Sequence, residues 1–289
     1  MFFIVLFTFT GGIISVPVSN AQETSKAEEA VINRGDYSIP AIITIPNDAT
    51  DPVPVVILLH GTGSNKDEAG GGYIEISQAL AENGIASIRF DFAGSGDSER
   101  DYYEYTVTGS IDDTIAILEY IKADSEKFDS DKIGILGWSQ GGYLALLMAG
   151  ILPDEFMSVV TWAGTTDMNS LISDEDFKEA LQEGYFIREY DWREYTNVSL
   201  EWVLQVKTID LLEIAQNYQG PILALHGTED TVVDPSEADR IVDNSSNSES
   251  EFKAIDGADH TFNIFTEDHS EFDELIYDTV EWFINTLDK

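Results

Sequence analysis

The chain has 289 residues, 43% of them hydrophobic and 11% aromatic, which excludes a disordered chain and leaves ample apolar surface for a core. Its 54 Asp and Glu against 15 Lys and Arg give a formal charge of −39, which excludes a basic face for nucleic acid and disfavours anionic lipid surfaces. With no cysteine there is no disulfide, no thiolate metal site and no cysteine nucleophile.

Charge of this size repels itself at low ionic strength. We expect adaptation to high salt, the alternative being an ordinary acidic secreted protein; activity and circular dichroism across a salt series separate the two. Residues 2–18 read FFIVLFTFTGGIISVPV, followed by the small-x-small pattern Ser19-Asn20-Ala21 and polar sequence from Gln22. This resembles a secretory signal peptide over residues 1–21, cut after Ala21, although no basic residue precedes the apolar run. An uncleaved anchor is the alternative. The expected mature chain, 22–289, is exported, and no other stretch in it approaches the 18 apolar residues of a membrane span.

Beyond the leader, short β-branched runs alternate with segments of helical period. Ile39–Ile45 alternates as an early strand, and Val53–Leu59 is a continuous apolar run, as in a strand buried on both faces. The spacing predicts a helix over Ile74–Asn83 closed by Gly84, a strand over Ile85–Phe90 and a helix over Ile111–Lys122. A strand over Lys132–Leu136, a helix over Gly141–Ala149 and strands over Met157–Trp162, Pro221–Leu225 and Glu251–Ile255 follow, and Phe272–Leu287 closes as an amphipathic helix. This rhythm predicts an α/β fold, a mostly parallel central sheet with right-handed crossovers and helices on both faces. Thr165–Gln219 breaks the rhythm: it shows no strand-like run, is dense in aromatics and acids, and lies between two core strands. We read it as an inserted helical cap over 165–219.

Gly137-Trp138-Ser139-Gln140-Gly141 follows the strand KIGIL and opens the helix GYLALLMAG. G-x-S-x-G at a strand-to-helix junction is a nucleophile elbow: the turn is too tight for side chains at its two glycines and lifts the serine to its crest, over a helix N-terminus that favours developing negative charge. A serine hydroxyl needs a base, and the base an orienting carboxylate, in the chain order Ser, acid, His. Only His226, His260 and His269 follow Ser139. His260, on the loop after the last core strand, is the expected base; His226 reads as a buried, hydrogen-bonded histidine and His269 as surface. Asp230, in the loop after the preceding strand, is the expected acid, with Glu229 its competitor. The tetrahedral oxyanion wants two fixed backbone donors, which we assign to the N–H groups of Thr62, in the loop after Leu59, and Gln140. His60, in that first loop, reads as structural.

LLHGTGSNKDE, IASIRFDFAGSGDSE, GWSQGGYLALLMAG and ILALHGTEDTVVDPSEADR together resemble the α/β-hydrolase family, and within it the bacterial cinnamoyl and feruloyl esterases and their serine carboxylesterase relatives. The likeness runs from about Ser38 to Leu287. Trp138 stands where that group usually has His. The resemblance implies a nucleophile at Ser139, an acid at Asp230, a base at His260 and oxyanion donors at Thr62 and Gln140. It also implies a segment 165–219 that roofs an acyl pocket. The aromatics of that segment, Tyr185, Phe186, Tyr190, Trp192, Tyr195 and Trp202, offer a lining for an aromatic or short acyl group, with Tyr185, Phe186, Trp192 and Trp202 as the candidates; the alternative, which we favour for any single one, is that it packs the cap onto the sheet. No cofactor and no metal is called for. The expected partner is a small-molecule ester, short-chain or hydroxycinnamoyl. The alternatives are a serine peptidase or amidase of the same fold and a non-catalytic binding protein.

Overall fold

The computed structural model describes residues 25–288; the expected signal segment, 1–21, lies outside them. The described chain enters through β1 (Ser25–Asn33) and β2 (Ser38–Pro46), paired antiparallel along their whole length. β1 was not expected from the sequence, because its SKAEEAVIN buries only Ile32 and so carries almost no apolar alternation. Next come β3 (Val53–Leu59), α1 (Gly72–Glu82), β4 (Ala86–Phe90), α2 (Val107–Ala123), β5 (Phe128–Trp138), α3 (Gln140–Ile151) and β6 (Ser158–Trp162). The eight-stranded sheet has the order β1-β2-β4-β3-β5-β6-β9-β10 and is parallel from β4 onward, with β9 (Ile222–Gly227) and β10 (Glu251–Ile255) last. This is the expected α/β-hydrolase architecture, with the ends of Val53–Leu59 and Glu251–Ile255 as expected and those of the other predicted strands moved by up to four residues.

Strand alternation splits the core. Val55, Ile57 and Leu59 face α2 and α3, while Val56 and Leu58 face Tyr73 and Ile76 of α1 and Phe272 and Phe283 of α8 (Ser270–Leu287). α3 is buried from Gln140 to Gly150, which explains why its sequence is apolar on every side. Gly150 meets α6 (Leu211–Ala215) so closely that a Cβ there would lie 2.4 Å from the Ile214 carbonyl.

Between β6 and β9 the structure corrects the expectation of a strandless segment. After a 3-10 turn at Met168–Leu171 and α4 (Asp174–Glu183), the short antiparallel strands β7 (Tyr185–Arg188) and β8 (Thr196–Ser199) form a hairpin, followed by α5 (Leu200–Thr208) and α6. Four residues are too few to display a period of two, and β8 reads TNVS. The helix α7 (Ser236–Asn244), between β9 and β10, was also missed: it buries only Ala238 and Ile241. Among the described residues no helix is long and apolar enough to cross a membrane.

The parallel register aligns the functional edge. Leu59 pairs with Gly137 and Trp138 with Trp162, so β3, β5 and β6 end side by side, and Ile255 pairs with Gly227 further along. Ligand sites of open α/β sheets lie outside this carboxyl edge. The loops there are tied down by charge: the Lys66 backbone N–H and Nζ donate to the two oxygens of buried Asp91 at 2.7 and 2.8 Å, and Arg89 Nε donates to Asp67 at 2.8 Å.

Candidate active site

The turn between β5 and α3 carries Ser139 at φ +56°, ψ −117°, a conformation that non-glycine residues rarely hold and that persists where the surroundings over-determine it. Its flanking glycines are obligatory. A Cβ on Gly137 would lie 1.9 Å from the Gly141 carbonyl oxygen, and one on Gly141 would lie 1.9 Å from that of Leu59. Both obstacles are backbone and cannot swing aside. The Ser139 N–H donates to the Trp162 carbonyl at 2.8 Å, which fastens the crest to β6.

Asp230 follows β9, with its carboxylate buried, and takes four donors. Oδ1 accepts the Val232 and Val233 N–H groups at 2.8 and 2.9 Å; Oδ2 accepts His260 Nδ1–H at 2.7 Å and His226 Nε2–H at 3.0 Å. Burial pushes this carboxyl up, but the hydrogen bonds from His226 and His260, the His260 charge and the Val233 N–H outweigh it and hold it well below the usual carboxylate range. The bond through Nδ1 leaves Nε2 as the free nitrogen of His260, whose ring is only partly exposed.

The His260 loop is pinned beside the elbow by Trp138, whose Nε1 donates to the His260 carbonyl at 3.1 Å. Trp138 packs in an aromatic cluster with Trp162, Phe262 and Phe272. Asp230 and His260 are thus in contact. Among the described residues the Ser139 hydroxyl makes no direct hydrogen bond to that ring, a contact that commonly tightens only with substrate bound.

Thr62 and Gln140 stand together beside the crest: Thr62 Oγ1 donates to Gln140 Oε1 at 2.5 Å, and neither backbone N–H is taken by a protein acceptor among the described residues. Gln140 opens α3, so its N–H adds the helix dipole. His60 is buried and neutral, its titration pushed down to about 4 by burial; its Nδ1–H donates to the Gly61 carbonyl at 2.9 Å and its Nε2 accepts the Phe92 N–H at 3.3 Å. It supports the loop, as the sequence suggested. Glu229 is exposed and His269 sits exposed at the start of α8; neither joins the cluster.

The four lining candidates separate. Phe186 and Trp202 are buried in the main core, where they pack the inserted segment onto the body and expose no face for a substrate. Tyr185 packs edge-on against Tyr103. Trp192 is 62% exposed and lies against Tyr190 with ring centroids 5.1 Å apart. Sequence reading missed the strap that carries Trp192. In the β7–β8 loop, Arg193 donates from Nη1 to the Gly63 carbonyl, and Tyr190 lies so close that a Cβ on Gly63 would be 3.0 Å from its hydroxyl. Glu189, Tyr190, Asp191 and Tyr195 line a cavity of about 370 Å³ there. The sharing of Asp230 by His226 was also missed; its one trace in the sequence is the four-residue spacing of the pair. Among the described residues no group of three or more His, Asp or Glu is placed to hold a metal ion.

The sequence pattern of the prolyl oligopeptidase family matches residues 73–289. Dipeptidyl aminopeptidase BIII of Pseudoxanthomonas mexicana is 28% identical over 229 residues, covering 73% of this chain and 32% of that protein. 2,6-Dihydropseudooxynicotine hydrolase of Paenarthrobacter nicotinovorans is 27% identical over 200 residues, 67% of this chain and 48% of that protein. The chain therefore spans about a third to a half of the length of these curated relatives. Among solved structures, Est1E of Butyrivibrio proteoclasticus, determined with bound ferulic acid, superposes with a TM-score of 0.76 at 19% identity, over 90% of this chain and 100% of that one.

Proposed function

We propose that this chain, which belongs to the prolyl oligopeptidase family and is a hydrolase of the α/β fold, cleaves carboxylic esters through an acyl-enzyme formed on Ser139. The observation that carries this reading is the 2.7 Å bond from His260 Nδ1–H to Asp230, in a loop fastened to the residue before Ser139. That bond fixes the tautomer whose Nε2 accepts a proton. Ser139 Oγ attacks the ester carbonyl while His260 Nε2 takes its proton. The oxyanion lies between the Thr62 and Gln140 N–H groups. The tetrahedral intermediate collapses as His260 returns the proton to the leaving alkoxide. Water then attacks the acyl carbonyl, His260 again taking and giving the proton, and frees the acid and Ser139.

An aromatic or short acyl group is the preferred substrate. The Tyr190–Trp192 pair, held over the Thr62–Gly63 turn by Arg193, supports it, as does the likeness in fold to a protein solved with ferulic acid. Wild-type protein is expected to turn over p-nitrophenyl acetate, p-nitrophenyl butyrate and methyl ferulate. No turnover of any of the three overturns the proposal.

A second reading, peptide-bond hydrolysis, is favoured by the family and by the dipeptidyl aminopeptidase among the relatives. The same three side chains would serve an amide, with the leaving amine protonated by His260. Dipeptidyl p-nitroanilides assayed beside the esters discriminate: kcat/KM higher on the anilides selects this second reading.

A further inference from the structure

One carboxylate in the loop after β3 has no part in the chemistry above, yet it lies under the reaction centre. Glu68 Oε1 accepts the Gly61 N–H at 2.6 Å; Oε2 accepts the Ser64 hydroxyl and the Ala69 N–H at 2.9 Å. Gly61 and Ser64 bracket Thr62. A Cβ on Gly61 would lie 2.9 Å from Glu68 Oε1, 3.2 Å from the Trp138 carbonyl and 3.5 Å from Ser139 Cβ, so carboxylate, oxyanion loop and elbow meet at one point. The backbone of Glu68 sits at φ 60°, ψ −177°, a region that is almost exclusively glycine's. A glutamate held there has its side chain delivered to this point by the surrounding fold. Burial pushes its carboxyl up, against the Ser64, Gly61 and Ala69 hydrogen bonds and the nearby His260 charge.

We propose that Glu68 is a positioning residue for ester cleavage: by gripping the 61–64 turn at both ends, it aims the Thr62 N–H at the oxyanion. The inference rests on the esterase reading above. An oxyanion donor acts in the transition state and little in the ground state, so misaiming it lowers kcat and spares KM. Loss of one donor altogether costs about 100- to 1,000-fold, and a donor left loose costs less.

The experiment compares wild type with Glu68→Gln and Glu68→Ala on p-nitrophenyl butyrate, together with inhibition by a trifluoromethyl ketone, which adds to a serine hydroxyl and presents an oxyanion. Glu68→Ala, which drops all three bonds, is expected to lose about 30- to 100-fold in kcat with KM within about twofold. Ketone affinity should fall in parallel. Glu68→Gln keeps one acceptor for the Gly61 N–H but turns an amide toward the Ala69 N–H, and is expected to recover part of the loss. Ser64→Ala leaves Glu68 in place and removes one of its donors; about threefold in kcat is expected, and this variant carries the test if the other two fail to fold. Unchanged kcat and ketone affinity in a folded variant with a lowered melting temperature would make Glu68 merely the cap of the Ala69–Gly71 turn and overturn the inference. An inactive wild type overturns the esterase reading instead, so the two failures are distinguishable.

Discussion

Ser139→Ala is expected to lower ester turnover by about 10,000-fold or more and to abolish covalent labelling by a fluorophosphonate, with a melting temperature close to wild type. Alanine keeps the Cβ, so the φ of +56° is no more strained than before, and the Trp162 carbonyl still receives the backbone N–H. The Asp230–His260 bond lies outside the substitution. The fall is therefore the loss of the nucleophile alone. The remaining rate over water is what Thr62, Gln140 and substrate binding supply. Labelling of the variant at the wild-type level would remove Ser139 from the chemistry.

Asp230→Asn is expected to cost about 10,000-fold in kcat with KM little changed. The carboxylate accepts on both oxygens, two backbone N–H groups on one and two imidazoles on the other. Asparagine has one acceptor to offer. If its oxygen stays with Val232 and Val233, its NH2 faces His260 Nδ1, which must then give up its proton. The ring is left in the tautomer with hydrogen on Nε2, and that nitrogen no longer accepts from Ser139. Glu229→Gln is the control: the residue is exposed, so kcat within about twofold of wild type is expected. A large loss in the control with none at Asp230 would reverse the assignment of the acid.

Several features were legible in the sequence because their causes are local. Val53–Leu59 reads as a doubly buried strand and folds with those same ends. Gly84 closes α1 at φ +80°, a backbone conformation that glycine tolerates and most residues do not. Local signals failed where burial was slight or elements short. β1 buries one residue, α7 buries two, and the four-residue strands of the hairpin give no period to count. Aromatic content by itself does not sort such residues: Phe186 and Trp202 share a segment and a residue class with Trp192, but packing, the reading favoured for any single one, buries two of them and leaves the third at the surface.

By itself the sequence determined the elbow, since a glycine at 137 and at 141, with an apolar strand before and an apolar helix after, allows one kind of turn and places Ser139 at its top. It also narrowed the candidates for a base to three histidines and those for an acid to one loop. Only the tertiary structure decided that one oxygen of Asp230 serves both His260 and His226, that Arg193 straps the β7–β8 loop to Gly63, and that Glu68 grips the turn around Thr62. The physical reason is the reach of each interaction. A turn depends on the residues within it, whereas the bonds from His260 to Asp230 and from Arg193 to Gly63, 30 and 130 residues apart, depend on where distant elements are brought together along one edge of the sheet; the nearer pairs, His226 with Asp230 and Glu68 with Gly61, depend on the path that this frame imposes on the loop between them, and spacing along the chain encodes neither.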